Sequence, residues 1–139
     1  MNYSSQVLIV DDMPAMRAII MAAMQDLGFT SFIECEDGES AWSVLQEDEN
    51  LDQIGLVVAD WKMGGMSGVD LLRAVRGCER KRHLPFIMVT AQRDFTNIDE
   101  AIQNLADGYF VKPFDINELK ERVIRMMDPK AAPIPHQSP

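Results

Sequence analysis

"VLIVDD" (residues 7–12) sets four consecutive aliphatic side chains directly against two adjacent carboxylates. Four apolar residues in a row suit a strand buried on both faces, because successive side chains point to opposite sides of a sheet. The two acids at its exit are either solvated turn residues or part of a site. Which of the two holds depends on what the rest of the chain brings to the same place.

Outward from this stretch the pattern repeats. "PAMRAIIMAAMQDLG" (14–28) spaces Met16, Ile19, Ile20, Ala23, Met24 and Leu27 as one helical face, with Pro14 in the first turn and Gly28 at the stop. "SFIEC" (31–35) alternates as an edge strand does, and "GESAWSVLQ" (38–46) is a helix with Ala41, Val44 and Leu45 inward. "LVVAD" (56–60) is again an apolar run closed by an acid. "SGVDLLRAVRG" (67–77) opens with Ser67 three residues before Asp70, a capping-box pattern, and stops at Gly77. "FIMVT" (86–90) is a strand, and "TNIDEAIQNL" (96–105) a helix with Ile98, Ala101, Ile102 and Leu105 inward. "GYFVK" (108–112) is the last strand. "DINELKERVIRMM" (115–127) closes the pattern, with Asp115 as cap and Ile116, Leu119, Val123 and Met126 as its stripe. Five β–α units in succession predict an α/β fold, a doubly wound three-layer sandwich around a parallel five-stranded sheet.

The 139 residues suffice for one core: residues 1–127 form one domain, and residues 128–139, with four prolines, form a loose flexible tail. Apolar content of 47% and charged content of 25% are those of an ordinary globular chain. Thirteen Lys and Arg against 22 Asp and Glu give a net charge of −9, which disfavours direct binding to nucleic acid or to an anionic membrane. Cys35 and Cys78 fit no metal-ligand spacing and read as reduced thiols of a cytoplasmic protein. The N-terminal stretch has no basic region before its short apolar run, so neither a signal peptide nor a membrane span is expected.

Four of the apolar strands end in polar residues: Asp11 with Asp12, Asp60, Thr90 and Lys112. In an open parallel sheet these ends lie along one edge, where ligands bind. One such ending is ordinary turn chemistry. Four of them converge three acids, a hydroxyl and an ammonium on one cleft. Three carboxylates that close repel one another unless a cation neutralises them, and an all-oxygen cluster without His or Cys suits a hard cation such as Mg²⁺. Mg²⁺ held by carboxylates recruits phosphate oxygens, to which Lys112 and Thr90 supply a point charge and a donor. Asp60, alone at the end of its strand, is positioned as a nucleophile that forms an aspartyl phosphate.

With these features the chain resembles a response-regulator receiver domain, most closely the single-domain CheY-like chemotaxis regulators. The stretches that carry the resemblance are "VLIVDD" with "MRAII", "ECEDGESAW", "VVADWKM", "MSGVDLL", "LPFIMVTA" and "GYFVKPF", and they cover nearly the whole chain. Each is weak alone; in this order they are specific. The resemblance implies a flavodoxin-like sheet of order 2-1-3-4-5. It implies Asp60 as phosphoacceptor, and Asp12, Asp60 and the Lys62 backbone carbonyl as Mg²⁺ ligands, with Asp11 acting through a metal-bound water. Thr90 and Lys112 would contact the phosphoryl group, Thr90 and Tyr109 would form the conformational switch, and Lys112–Pro113 would be a cis peptide. Lys62 and Gln92, two positions after Asp60 and after Thr90, would flank the hydrolytic water and tune dephosphorylation. Where the family usually has Pro after the Met of "DWKM", this chain has Gly64 and Gly65, which leaves the loop less stiff. The acidic "EDENLDQIG" (47–55) is longer than in compact relatives and reads as a solvated loop.

Other residues carry plainer readings. His83 precedes a strand away from the acidic edge and His136 lies in the tail, so neither is a phosphodonor. The ten Met residues sit largely at core spacing, and Trp42 is a packed or half-exposed helix residue. Trp61, beside Asp60, should report on metal and phosphate.

Three functions fit the sequence. The first is a monomeric switch that takes phosphate from a histidine kinase and docks on the flagellar motor switch, with a phosphatase as a further partner. The second is a phosphorelay shuttle or phosphate sink without a motor target. In both the protein is not an enzyme beyond slow self-phosphorylation from small donors and autodephosphorylation. The third, a Mg²⁺-dependent phosphohydrolase, fits least, because such enzymes carry a second acid two residues after the nucleophile, where this chain has Lys62.

Overall fold

The computed structural model describes residues 2–47, 52–61, 65–91 and 106–127. In chain order the elements are β1 (Gln6–Val10), α1 (Pro14–Leu27), β2 (Ser31–Cys35), α2 (Gly38–Leu45), β3 (Ile54–Asp60), α3 (Gly68–Gly77), a 3-10 turn (Glu79–Lys81), β4 (Phe86–Thr90), β5 (Gly108–Val111) and α4 (Ile116–Met127). The expected helix over 96–105 and the tail over 128–139 lie outside the described residues, as do Lys62, Gly64 and Gln92.

The five strands form one parallel sheet of order β2-β1-β3-β4-β5, the order expected of a receiver-like chain. The alternating "SFIEC" is indeed an edge strand, whereas β1, β3 and β4, the continuous aliphatic runs, are central. Side-chain alternation divides the core between two faces. Leu8, Val10, Val57, Ala59, Phe86 and Met88 pack on one side with Ala41 and Leu45 of α2 and Leu71, Leu72 and Val75 of α3. Val7, Ile9, Leu56, Val58, Ile87 and Val89 pack on the other with Ile20, Ala23 and Met24 of α1 and Leu119 and Val123 of α4. Each fully buried aliphatic or aromatic side chain of this kind contributes about 1.5–3 kcal/mol.

The helix ends follow the local chemistry. Pro14 starts α1, and Gly28 ends it in the left-handed conformation at φ 116°, where its N–H donates to the Gln25 carbonyl and that of Phe29 to Met24. Ser67 accepts from the Asp70 N–H while Asp70 accepts from the Ser67 N–H, the reciprocal box expected before α3. Asp115 accepts from the Asn117 N–H at the start of α4. Two readings depart from expectation: Ile54 and Gly55, read as part of the solvated loop 47–55, begin β3 because Ile54 packs into the core, and Ile19 is 49% exposed. It lies roughly 90° round the helix from the centre of the stripe formed by Met16, Ile20, Ala23, Met24 and Leu27, beyond the width the sheet covers.

The starting edge of the sheet is closed by ion pairing. Arg76 Nη2 meets Asp107 Oδ2 at 2.9 Å, and its Nη1 donates to the Leu84 carbonyl at 2.6 Å. The same Asp107 oxygen accepts from the Phe86 N–H at 2.8 Å, which joins α3, β4 and the entry to β5. Nearby, the buried Lys81 ammonium lies 5.3 Å over the Trp42 ring and 3.4 Å from Cys78 Sγ. It holds the Cys78 thiol below its ordinary pKa, whereas burial pushes Cys35 up. Neither cysteine forms a disulfide.

At the opposite edge β3 turns sharply into α3. The Gly68 N–H donates to the Trp61 carbonyl at 2.8 Å, and a Cβ at Gly68 would collide with the Asp60 carbonyl. Gly77, at the other end of the same helix, has nothing within 4 Å of where a Cβ would stand. Gly68→Ala should therefore lower stability by about 1–3 kcal/mol. Gly77→Ala should raise it by about 0.5–1 kcal/mol. Urea denaturation of the two variants checks both signs.

Candidate functional site

Parallel strands in register bring their C-terminal ends together, and a doubly wound sheet of this order holds ligands at that edge. Asp11 and Asp12 follow β1, Asp60 ends β3, Thr90 ends β4, and Lys112 follows β5. The carboxylates of Asp11, Asp12 and Asp60 each offer one oxygen, and these oxygens lie within 4.8 Å of one another. Asp11 and Asp60 are buried and Asp12 is exposed, so the cluster has a walled side and an open side.

Lys112 closes the walled side. Its Nζ stands 2.9 Å from Asp11 Oδ2 and 3.5 Å from Asp60 Oδ2. The other Asp11 oxygen accepts from the Met13 N–H at 2.9 Å. Asp11, 1% exposed, thus has both oxygens engaged by the protein, whereas Asp12 faces solvent. An all-oxygen set of this kind fits a hard divalent cation that keeps several waters. Asp12 and Asp60 are the acids whose placement suits direct contact with it, and Asp11 is suited to act from behind.

Thr90 is fully buried at the end of β4, and its carbonyl accepts from the Lys112 N–H at 2.6 Å, which ties the β5 exit to the β4 exit. Lys112–Pro113 is cis. Tyr109, in β5 opposite Met88, turns its ring to the face that carries α2 and α3 and meets Trp61 edge-on, with centroids 6.2 Å apart. Trp61 itself follows Asp60 directly, so the aromatic pair adjoins the acidic cluster. Burial pushes the Tyr109 phenol well above its usual range. Of the residues singled out from sequence, Asp11, Asp12, Asp60, Thr90 and Lys112 therefore share one strand edge and Tyr109 borders it. The Lys62 carbonyl and Gln92 lie outside the described residues.

Two neighbours escaped the sequence reading. Arg17, on the first turns of α1, donates through Nη1 to the Asp11 carbonyl at 2.6 Å and pairs through Nε with Glu34 at 3.1 Å. A cation near a helix N-terminus opposes the helix dipole, and that is the signal that could have marked it as engaged elsewhere. Glu39, on α2, takes the N–H of Met66 in the segment after Asp60.

The chain matches the model of the response regulator receiver domain over residues 7–124. Chemotaxis protein CheY of Pseudomonas aeruginosa is 46% identical over 123 residues, which are 88% of this chain and 96% of that protein. Chemotaxis protein CheY-3 of Vibrio cholerae is 39% identical over 128 residues, 92% of this chain and 95% of that one. The crystal structure of a response regulator receiver protein from Pseudomonas putida superposes with a TM-score of 0.77 at 27% identity, covering 89% of this chain and 98% of the other.

The buried Tyr109 phenol gives a titration test. A raised folded-state pKa means that its contribution to stability is present below the unfolded value of about 10 and is lost as pH rises beyond it. Wild-type protein should lose stability between about pH 9 and pH 11, and Tyr109→Phe should lose less over the same interval. Urea midpoints across that range decide it.

Proposed function

Because the chain belongs to the response regulator receiver domain family, we propose that it accepts a phosphoryl group from a histidine kinase onto Asp60, with Mg²⁺, and so switches its affinity for a downstream partner. The observation that carries this reading is the junction of Asp11, Asp12 and Asp60 with Lys112 at the ends of three different strands. No described helix is long and apolar enough to cross a membrane, and the protein is proposed to act in the cytoplasm. Residues 1–127 are proposed as the working unit, with 128–139 dispensable for phosphorylation.

An Asp60 carboxylate oxygen attacks the phosphorus of the phosphohistidine. The new O–P bond forms as the P–N bond breaks, and the imidazole nitrogen leaves with the bond pair and takes up a proton. Asp12, Asp60 and the Lys62 carbonyl would hold Mg²⁺, which would supply charge neutralisation between the carboxylates and the phosphoryl oxygens. Lys112, already among the acids, exchanges an Asp60 contact for a phosphoryl oxygen. Asp11 remains its fixed counter-ion. The Thr90 hydroxyl donates to another phosphoryl oxygen, and its displacement lets the Tyr109 ring repack. A partner that binds the repacked state more tightly shifts the population.

The chemotaxis names of the relatives support the flagellar motor switch as that partner, ahead of a phosphorelay or sink role. β5, which carries Tyr109, and α4, the helix that follows it, would form part of the docking face. No substrate turnover beyond self-phosphorylation and autodephosphorylation is proposed. Asp60→Asn should take up no acid-labile phosphate from a small phosphodonor such as acetyl phosphate and should fail to gain partner affinity. Uptake at the wild-type rate would place the nucleophile elsewhere.

The lifetime of the phosphate follows from Lys62 and Gln92. Neither side chain is a carboxylate, so neither serves as general base for the attacking water. A Lys62 ammonium that pairs with a phosphoryl oxygen stabilises the phosphorylated ground state and crowds the water. The loose transition state gains little total charge, so the cation helps it less. Lys62→Asn combined with Gln92→Glu should speed phosphate loss in Mg²⁺, followed as decay after donor removal; unchanged or slower decay would overturn the assignment.

A further inference from the structure

After Asp60 the sequence has Gly64 and Gly65 where the family usually has a proline, and Met66, just before α3, is fastened from another element. β3 ends at Asp60, and the chain returns to the start of α3, where the Gly68 N–H meets the Trp61 carbonyl. On the returning limb the Met66 N–H donates to Oε1 of Glu39, which stands in the first turn of α2, 27 residues earlier. Two glycines shape this contact. A Cβ at Gly38 would collide with the Met66 carbonyl, and a Cβ at Gly65, whose φ is +77°, would collide with Glu39 Oε1. Both partners of the bond are themselves held. Asp37 caps the turn that carries Glu39 by accepting from the Ser40 N–H at 2.7 Å, and the Ser67–Asp70 box fixes the residue after Met66.

We propose that Glu39 is a positioning residue for the Mg²⁺ site: its carboxylate, received between Gly38 and Gly65, pins the Met66 amide and so pre-orders the loop that runs on from Asp60. A glycine-containing loop has more conformations to lose when a metal is bound than one with proline. A charge-assisted hydrogen bond made before the metal arrives removes part of that loss in advance. Glu39 also stands beside the N-terminal end of α3, where a negative charge is favoured. The inference rests on the Mg²⁺ reading of Asp11, Asp12 and Asp60.

The test is a Mg²⁺ titration of wild type, Glu39→Ala and Glu39→Gln, read by tryptophan emission, with hydrogen exchange of the Met66 amide followed in chelator. Glu39→Ala should speed Met66 exchange and weaken Mg²⁺ binding by about three- to tenfold, the range for loss of one hydrogen bond coupled to binding. Its urea midpoint in chelator should change little. Glu39→Gln, which keeps an acceptor oxygen and loses the charge, should fall between wild type and Glu39→Ala. Equal loss in both variants would assign the effect to long-range charge and overturn the positioning role, as would unchanged affinity in Glu39→Ala. Should Glu39→Ala unfold, Gly65→Ala, which crowds the carboxylate from the loop side, should show the same loss of affinity, and retained affinity there would overturn the role. A wild-type protein that gives no Mg²⁺ response would overturn the Mg²⁺ reading itself, while Met66 exchange would still report the anchor.

Discussion

Three carboxylates held within 4.8 Å of one another are a repulsive arrangement, and the fold tolerates it because one lysine is brought to two of them. Lys112 reaches Asp11 across 101 residues of chain, and the pair is nearly sealed from solvent. Removing one member of such a pair leaves a buried charge uncompensated, which is strongly destabilising. The sheet order follows from the same need. With β1 and β3 adjacent at the centre, Asp11, Asp12 and Asp60 are neighbours, and with β4 and β5 beyond β3, Thr90 and Lys112 complete the edge. The pairing also leaves Asp12 as the exposed acid, so Lys112 offsets the cluster only in part from within and the remaining charge faces its open side.

The division of the core gives the two sides of this edge different packing. One face packs on α1 and α4 and carries Val7, Ile9, Val58 and Val89, all fully buried. The other packs on α2 and α3 and includes the partly buried Trp61, Met66 and Tyr109 at its margin. The acidic cluster thus has a closed interior to one side and half-exposed aromatic contacts on the other.

What was legible in the sequence was set by short-range chemistry. The uninterrupted aliphatic runs of β1, β3 and β4 could be buried only at the centre of a sheet, and the alternation of "SFIEC" could only be an edge. Pro14, Gly28 and the Ser67–Asp70 pair marked helix ends through bonds that span five residues or fewer. Asp11, Asp12, Asp60, Thr90 and Lys112 were found because a parallel sheet gathers strand ends whatever its details. Ile19 misled because helical period gives the centre of an apolar stripe better than its margins. The contacts of Glu39 with Met66, of Arg17 with the Asp11 carbonyl and of Arg76 with Asp107 were not legible. Each joins a side chain to a group whose nearness depends on loop path and helix tilt, and an exposed Glu or Arg has the same appearance in sequence whether it is anchored or solvated.

The Arg76–Asp107 pair has a mechanical meaning. It binds the first residue of β4 and the approach to β5 to the end of α3, at the edge of the sheet away from the acids. β4 and β5 pair from Ile87–Gly108 to Thr90–Val111, and both begin at this clamp. The spacing of Thr90 and Lys112 at the far edge is therefore set where the two strands start. One arginine thus fixes the common origin from which both residues are measured out.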